Sequence, residues 1–515
     1  MSKQLPLNPS LEYDKKQSKA LLKAYQAGDA DALARVRESH PRLQNVPERT
    51  IPLEEFKLSD AQLVIAREYG FSSWSQLKHQ IEIVKAGLEQ SFSRFADAVS
   101  LGDGAQVRKL LEAAPALAKR INDPVIGFDA PAIVVAAGCG NQELIDVLLE
   151  YGADVNAKSV WWAGAFGVLH NTDSNLAKHL IAHGAKIDAH AASEHGMLDV
   201  LHALVDADPA VVHSQGPDGQ RPLHFARSIP TIDFLIERGA DIDALDVDHR
   251  ATAAQWMIGE YPELTRYLIT RGSDTDIFMA CALGDSDLMR NLIDAEPNVV
   301  NMRIGQKDYT RVPPAPGLHI YAYTFGDNKS PHQIAQDFGH DAVYQLLLER
   351  SSTQRRFIAA CERVDAVVAR ALLKDSPSIA DAMPSQDQRL LADAAWENDI
   401  EAVRLLLDLG FDTHVRGANE STPLHSAAFH GFSEVVHLLL QHNPPLTLQN
   451  QYGARPLDSA IYGAVHSWRH DGDFPKTVEA LINAGSKISA DSFPTGNEDI
   501  DVVLRRYIEQ DTKQR

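Results

Sequence analysis

Apolar and polar positions alternate along this 515-residue chain in a pattern that returns at intervals of about 33 residues. In the clearest unit, Glu420–Pro445, small and apolar residues around Ala427 are followed, after a polar break, by the apolar run Val435–Leu440. The spacing within each stretch is typical of a short helix with one buried face. A glycine such as Gly239 or Gly272 follows the second stretch, where it can adopt the left-handed conformation that ends a helix. The pattern predicts an all-α chain of stacked helix pairs.

The first helix of several units opens with a common motif. Its clearest form is TPLH at Thr422–His425, in which proline suits the first helical position and the last side chain can bond the backbone of the turn. Related motifs are RPLHFA at Arg221–Ala226, SPHQIA at Ser330–Ala335 and RPLDSA at Arg455–Ala460. In order and spacing these units resemble ankyrin repeats, and the chain resembles bacterial ankyrin-repeat proteins over roughly residues 17–489. The resemblance implies an all-α ankyrin-repeat α-solenoid with short β-hairpin fingers and a helical N-terminal cap.

The units suggest four segments. Residues 1–88 form a helical leader that we expect to cap the first repeat, because a repeat buries its apolar face only against a neighbour. Residues 89–350 form a first array that ends in the repeat after an insert at 301–328, and residues 351–489 continue the array. Residues 490–515 are expected to form a C-terminal capping helix and tail.

The charge balance argues against some classes of partner. The chain has 49 Lys and Arg against 70 Asp and Glu, a formal net charge of −21, which disfavours binding to nucleic-acid phosphates. No apolar run approaches the roughly 20 residues of a membrane span, and the N-terminus lacks the apolar core of a secretory signal. We therefore expect a cytoplasmic monomer that binds no nucleic acid, membrane or cofactor.

The longest departure from the repeat is the insert Asn301–Asn328, which adds roughly 20 residues between two units. Within it the sequence HIYAYTF alternates as a strand does. Either its aromatic side chains cover the core or, as we favour, they form a platform for an anionic ligand together with nearby cations. The residues concerned are Tyr309, Arg311, His319, Tyr321 and Tyr323, with Lys329 directly after the insert.

A second departure lies in the finger Asp246–Trp256. Asp248 and His249 stand there in place of the family's glycine, and Gln255 replaces the histidine of TPLH, although glutamine can still bond the turn. An imidazole beside a carboxylate can act as a general base. Alternatively, Asp248 only forms a local turn and His249 is exposed. The candidate catalytic residues are Asp248, His249, Tyr309 and His319.

Two further stretches depart from the repeat. The segment Tyr462–Phe474 adds about nine residues between two helices and has the character of a recognition loop. Trp161 and Trp162 replace a normal finger, and we expect them in a packed core unless one of them faces the groove. The sequence HLIAH at His179–His183 lacks a third ligand, so we expect no metal site.

The sequence contains no nucleophile elbow, P-loop, dinucleotide fingerprint or zinc-ligand set. We predict a binding or scaffold protein that recognises a protein, peptide or small ligand on its concave face. The alternative is an enzyme acting on a small anionic or sugar-like substrate in a groove between the 301–328 insert and neighbouring fingers. The predicted ligand-binding residues are Trp162, Asp248, His249, Trp256, Tyr309, Arg311, His319, Tyr321, Tyr323, Lys329, His466, Trp468, Arg469 and His470.

Overall fold

A computed structural model describes residue 3 and residues 11–44, 46, 55–86, 89–306, 309, 317–379, 383–488 and 493–514. The chain forms two compact units, one of Met1–Leu283 with Arg303–Lys329 and one of Gly284–Met302 with Ser330–Arg515. Over the described residues both units are helical, and none of the helices is long and apolar enough to cross a bilayer.

The leader has a hydrophobic core of its own. Its helices are α1 (Leu11–Gln26), α2 (Ala30–Ser39), α3 (Leu58–Glu68) and α4 (Trp74–Ala86). Val36, Leu77 and Ile81 are fully buried in this core. Arg35 joins α2 to α3 through two hydrogen bonds to the Glu68 carboxylate, at 2.6 and 2.9 Å. The leader therefore has a packed core of its own, and its role as a cap of the first repeat stays a prediction.

The rest of the first unit consists of short helices in consecutive pairs. Amphipathic second helices such as α9 bury one face, with Leu144 and Leu148 fully covered, against the small residues of a first helix such as Ala136 in α8. The helices are α5 (Glu89–Ser100), α6 (Gly104–Ala113), α7 (Pro115–Ala118), α8 (Ala132–Gly138), α9 (Gln142–Glu150), α10 (Ser174–Ala182), α11 (Ala189–Glu194), α12 (Leu198–Ala207), α13 (Ile229–Glu237), α14 (Ala253–Met257), α15 (Pro262–Thr270), α16 (Ile277–Leu283) and α18 (Ile320–Thr324).

The second unit repeats the same arrangement. Leu424, Val435 and Leu439 of its clearest repeat are completely buried, and Ile500 and Leu504 of the last helix join the same core. The helices are α17 (Ser286–Ala295), α19 (Pro331–Asp337), α20 (Asp341–Glu349), α21 (Thr353–Glu362), α22 (Ala366–Asp375), α23 (Ser385–Gln388), α24 (Leu390–Glu397), α25 (Ile400–Asp408), α26 (Pro423–Phe429), α27 (Ser433–Leu440), α28 (Pro456–His466), α29 (Phe474–Asn483) and α30 (Glu498–Gln514).

The fingers between helix pairs are tight turns. Within the described residues they contain no strand, only one isolated antiparallel bridge between Ile126 and Ala130, so the expected β-hairpins are absent there. Adjacent fingers are nevertheless linked, because the backbone N–H of Gln451 donates to the Asn419 carbonyl at 3.0 Å. A single hydrogen bond of this kind aligns two turns without the length that a strand ladder needs.

The TPLH histidine bonds the backbone, as the motif predicts. In the second unit His425 Nδ1 accepts the N–H of Thr422 at 3.2 Å, and His425 Nε2 donates to the Ala454 carbonyl of the next finger at 2.9 Å. Gln255 takes this role in the first unit, where its side-chain oxygen accepts the N–H of Thr252 at 3.0 Å. The residue at this position therefore ties the start of a helix to its neighbour.

We expect the His425→Ala variant to lower the free energy of unfolding by about 1–3 kcal/mol, because two buried hydrogen bonds are lost. The His425→Gln variant should lose clearly less, since glutamine makes the corresponding bond at Gln255. Urea denaturation followed by circular dichroism measures both values. Equal losses in the two variants would show that ring packing, and not hydrogen bonding, explains the role of His425.

Candidate functional site

Two neighbouring fingers of the first unit bring acidic side chains together. Asp218 occupies the tip of one finger with φ of 52°, a left-handed conformation that aspartate tolerates better than most residues. Its carbonyl accepts the backbone N–H groups of Val247 and Asp248 of the next finger, at 2.8 and 3.1 Å. His249 Nε2 then lies 3.9 Å from Asp218 Oδ2 and 4.0 Å from Asp248 Oδ2. One imidazole therefore stands between two carboxylates.

The second of these fingers is organised by Asp246. Its carboxylate accepts the backbone N–H groups of His249 at 2.5 Å and Ala251 at 2.9 Å, and the indole N–H of Trp256 at 2.9 Å. Asp246, rather than Asp248, thus makes the local turn that the sequence suggested as an alternative. Trp256, a predicted ligand residue, supports the finger and packs edge-on against His249 at 5.2 Å between ring centres.

The 301–328 insert reaches this finger. The backbone N–H of Gly317 donates to Asp248 Oδ1 at 3.1 Å, and His249 Nδ1 donates to the Leu318 carbonyl at 2.8 Å. Because a carbonyl only accepts, Nδ1 carries a proton, and Nε2 is the ring nitrogen that faces the carboxylates. The ring of Tyr323 lies 5.3 Å from that of His249 and is 62% exposed. The structure therefore brings Asp248, His249 and Tyr323 into one site.

Three other aromatic residues of the insert face the interior. Tyr309, His319 and Tyr321 are buried, and Tyr309 and Tyr321 stack with ring centres 5.6 Å apart. The Tyr321 hydroxyl donates to Asp276 Oδ2 at 2.7 Å, and burial lowers the pKa of His319 to about 4. This burial contradicts the expectation that the three rings face a ligand and supports the alternative in which they cover the core.

The segment HIYAYTF forms helix α18 and not the strand that its alternation suggested. The His319 side chain caps the helix by accepting the N–H of Tyr321 at 3.3 Å. The base of the insert is closed by Arg303, which is buried and donates to the Asn328 carbonyl at 2.8 Å, and by the Ile304 N–H, which donates to the Lys329 carbonyl at 3.0 Å. Of the remaining predicted ligand residues of the insert, Arg311 lies outside the described residues.

Burial disfavours the ionised form of both carboxylates of the site. The pKa of Asp218 is raised to about 7, mainly by burial; His249 opposes this rise, and nearby Asp248 and Asp246 add to it. The Asp218 side chain is 13% exposed. Burial also raises the pKa of Asp248. Since an ionised carboxylate in such a place is poorly solvated, the site favours a proton or an approaching cation.

Aromatic side chains border the acidic pair. The indole N–H of Trp161 donates to Asp218 Oδ1 at 3.0 Å, and the ring of Phe128, which is 61% exposed, lies edge-on to Trp161 at 5.2 Å. Trp162 packs beside Trp161, and its buried N–H has no hydrogen-bond partner among the described residues. Trp161, rather than the predicted Trp162, therefore contacts the site.

The leader contributes a cation. Arg67 of α3 interacts electrostatically with Asp129 and Asp248, and these carboxylates partly offset the lowering of the Arg67 pKa by burial. The buried Nε of Arg67 has no hydrogen-bond partner within the described residues. Ser72, between α3 and α4, donates to both oxygens of the Asp129 carboxylate, at 3.0 and 3.1 Å. The turn between α3 and α4 thus contacts the finger row.

The remaining predicted ligand residues belong to the second unit. Trp468 is exposed, with its ring 5.1 Å from that of His430, and His466 packs against Tyr462 at 4.1 Å. Arg469 bonds the Asp471 carboxylate at 3.0 and 3.1 Å, and His470 is exposed. These four residues therefore line a surface of the second unit.

The sequence HLIAH has a third potential metal ligand after all. Asp146, His179 and His183 each offer one ligand atom, and these atoms lie within 4.8 Å of one another. The expectation that the histidine pair has no third ligand is therefore wrong. The HLIAH motif alone does not reveal Asp146 as a ligand, because Asp146 belongs to the preceding repeat.

Asp218, Trp161 and Arg67 are members of the acidic site that the sequence alone does not reveal. Asp218 lies in the tripeptide Pro217–Gly219, which is an ordinary turn sequence. Trp161 and Asp218 are 57 positions apart. Aligning the finger tips of successive repeats would place Asp218 beside Asp248. No sequence motif around Arg67 distinguishes it from other arginines.

We expect the Tyr321→Phe variant to lower the free energy of unfolding by about 1–3 kcal/mol, because buried Asp276 loses a hydrogen-bond donor. The matched Tyr323→Phe variant, at an exposed position of the same helix, should change it by less than about 0.5 kcal/mol. Urea denaturation compares the two. Similar values for both would contradict the buried position of Tyr321.

The Asp218→Asn variant should change how stability depends on pH. The ordinary pKa of 3.8 applies to the unfolded chain, whereas Asp218 in the folded protein titrates near 7. Between these values only the folded state holds the proton, so wild-type stability falls as pH rises through this window. We expect a shallower fall for Asp218→Asn in urea titrations from about pH 4 to 8, while the exposed control Asp206→Asn follows wild type. Parallel curves for all three proteins would contradict the raised pKa.

Models of known repeat families match two parts of the chain. A model described as three copies of ankyrin repeats matches residues 391–491, and a model of a single ankyrin repeat matches residues 131–160. The crystal structure of the human ASB11 ankyrin repeat domain aligns with 52% of this chain and all of that domain, at 18% identity and a TM-score of 0.23.

Curated relatives match over part of their own length. The chain is 22% identical over 352 residues to the E3 ubiquitin-protein ligase KEG of Arabidopsis thaliana, covering 59% of this chain and 21% of that protein. It is 33% identical over 118 residues to the mouse B-cell lymphoma 3 protein homolog, covering 20% of this chain and 25% of that protein. The chain thus spans about a quarter or less of these relatives. Both organisms are eukaryotes, so the bacterial resemblance stays a prediction.

Proposed function

Since this chain is an ankyrin-repeat protein, we propose that it is a binding scaffold whose first unit recognises a basic side chain of a protein partner beside Asp218 and Asp248. The observation that carries this proposal is the pair of poorly solvated carboxylates about 4 Å from one imidazole. A lysine or arginine that approached them would neutralise charge that burial now penalises.

The surroundings of the pair support a cationic rather than an anionic group. Phe128 and Tyr323 are the most exposed rings at the border of the site, and aromatic faces attract cations. Arg67 already lies within electrostatic range of Asp248, so the site accommodates a guanidinium within the chain itself. Arg303, a cation of the insert, is buried and donates to the Asn328 carbonyl. We therefore propose a basic, aromatic-tolerant segment as the partner.

An acid–base enzyme is the second candidate function. Its supporting observation is that Asp218, with a pKa near 7, lies 3.9 Å from Nε2 of His249. Such a pair could exchange a proton with a substrate near neutral pH. In this proposal His249→Gln abolishes turnover but retains binding, whereas in the scaffold proposal no turnover exists to lose.

The scaffold proposal can be tested with paired peptides that share aromatic residues but carry either arginine or glutamate. We expect fluorescence anisotropy to show binding of the arginine peptides only. The double variant Asp218→Asn, Asp248→Asn should weaken that binding by roughly 1–3 kcal/mol, because paired charges at an interface can act as hot spots. Added salt should weaken it as well.

The matched control is the double variant Asp199→Asn, Asp206→Asn. It changes the net charge equally at two exposed positions of α12 and should bind as wild type does. Preference for the glutamate peptides, or equal losses in the two double variants, would overturn the proposal. The first outcome would instead favour the anionic ligand suggested by the sequence, with Arg311→Ala as the next variant.

A further inference from the structure

We propose that Asp146, His179 and His183 form a surface site for a divalent metal ion such as Zn²⁺. One ligand atom from each residue lies within 4.8 Å of the other two. Zinc–ligand bonds of about 2.0–2.2 Å bring neighbouring ligand atoms to roughly 3.5 Å, a distance that small rotations of these side chains can reach.

The repeat creates this cluster from residues that are distant in sequence. His179 belongs to α10 and His183 caps its C-terminus, so the two are one helical turn apart with ring centres separated by 4.5 Å. Asp146 lies in α9, 33 positions before His179, and its Oδ1 is 2.7 Å from His179 Nε2. Stacked second helices therefore supply two imidazoles and one carboxylate to one point.

The hydrogen bonding of His183 suits metal binding. Its Nδ1 donates to the His179 carbonyl at 2.9 Å, and since a carbonyl only accepts, the lone pair of this ring is on Nε2. A backbone carbonyl that holds the second ring nitrogen is the usual orienting partner of a metal-bound histidine. For His179, the hydrogen bond between its Nε2 and Asp146 Oδ1 would be replaced by bonds from both atoms to one ion.

The ligand types favour zinc over the common alkaline-earth ions. Two imidazole nitrogens and one carboxylate oxygen match the N/O set of zinc, whereas Ca²⁺ and Mg²⁺ prefer oxygen ligands alone. The side chains are accessible, with Asp146 51% and His179 22% exposed. Three protein ligands leave a fourth position for water. A bound ion would also join α9 to α10 and so stabilise the folded first unit.

Isothermal titration calorimetry of the full chain with ZnCl₂ in a non-chelating buffer tests the proposal. We expect one Zn²⁺ to bind, with an affinity at least tenfold weaker in His179→Ala, His183→Ala and Asp146→Asn alike. The Tm of the wild type should rise with Zn²⁺ at concentrations where that of the double variant His179→Ala, His183→Ala does not. All three residues lie at the surface, so these variants should fold.

The matched control is His437→Ala. His437 is exposed on α27 and bonds the Ser433 carbonyl through Nδ1 at 2.6 Å, as His183 bonds its own helix, and it should not affect zinc binding. Absence of binding by the wild type, or wild-type binding by the double histidine variant, would overturn the site. Unchanged affinity in Asp146→Asn would also overturn it as a three-ligand site.

Discussion

The structure depends on one constraint: a helix pair buries its apolar face only against the next pair, so positions one repeat apart become neighbours. Contacts between side chains or backbone groups 33 positions apart recur in both units, as between His179 and Asp146 and between Arg416 and the Gln449 carbonyl. The same rule brings the finger tips into a row. Functional groups in this chain are therefore assembled across repeats and not within them.

The sequence was sufficient for the features that a single repeat determines. The left-handed Gly239 and the backbone bonds of His224 and His425 follow from local motifs, and Gln255 replaces the histidine by the same chemistry. The sequence did not predict the local structure where a contact between residues distant in sequence determines it. HIYAYTF alternates like a strand, but Tyr321 bonds Asp276, 45 positions earlier, and the segment packs as a helix. No local pattern contains that contact.

Part of the acidic site could be predicted from the places where the sequence departs from the repeat. The break in the repeat marked Asp248 and His249, and the long insert was expected nearby, because both depart from positions that folding explains. Asp218 and Trp161 were not identified, since an ordinary turn and a doubled tryptophan each have a structural explanation when considered singly. Their significance emerges only from the 3.0 Å hydrogen bond between them and from the burial that raises the pKa of Asp218.

The charges of the first unit connect its leader to this site. Asp218 and Asp248 lose solvation on burial, and the groups that offset this loss include His249, Trp161, the N–H of Gly317 and Arg67. Of these groups, Arg67 belongs to the leader. The leader has a core of its own, and buried His79 of α4 also packs edge-on against Phe92 of α5, with ring centres 4.4 Å apart. Arg67 and the hydrogen bonds of Ser72 thus contribute to holding the leader beside Asp129 and Asp248, and any basic partner group would meet a site whose charge is already partly balanced from within the chain.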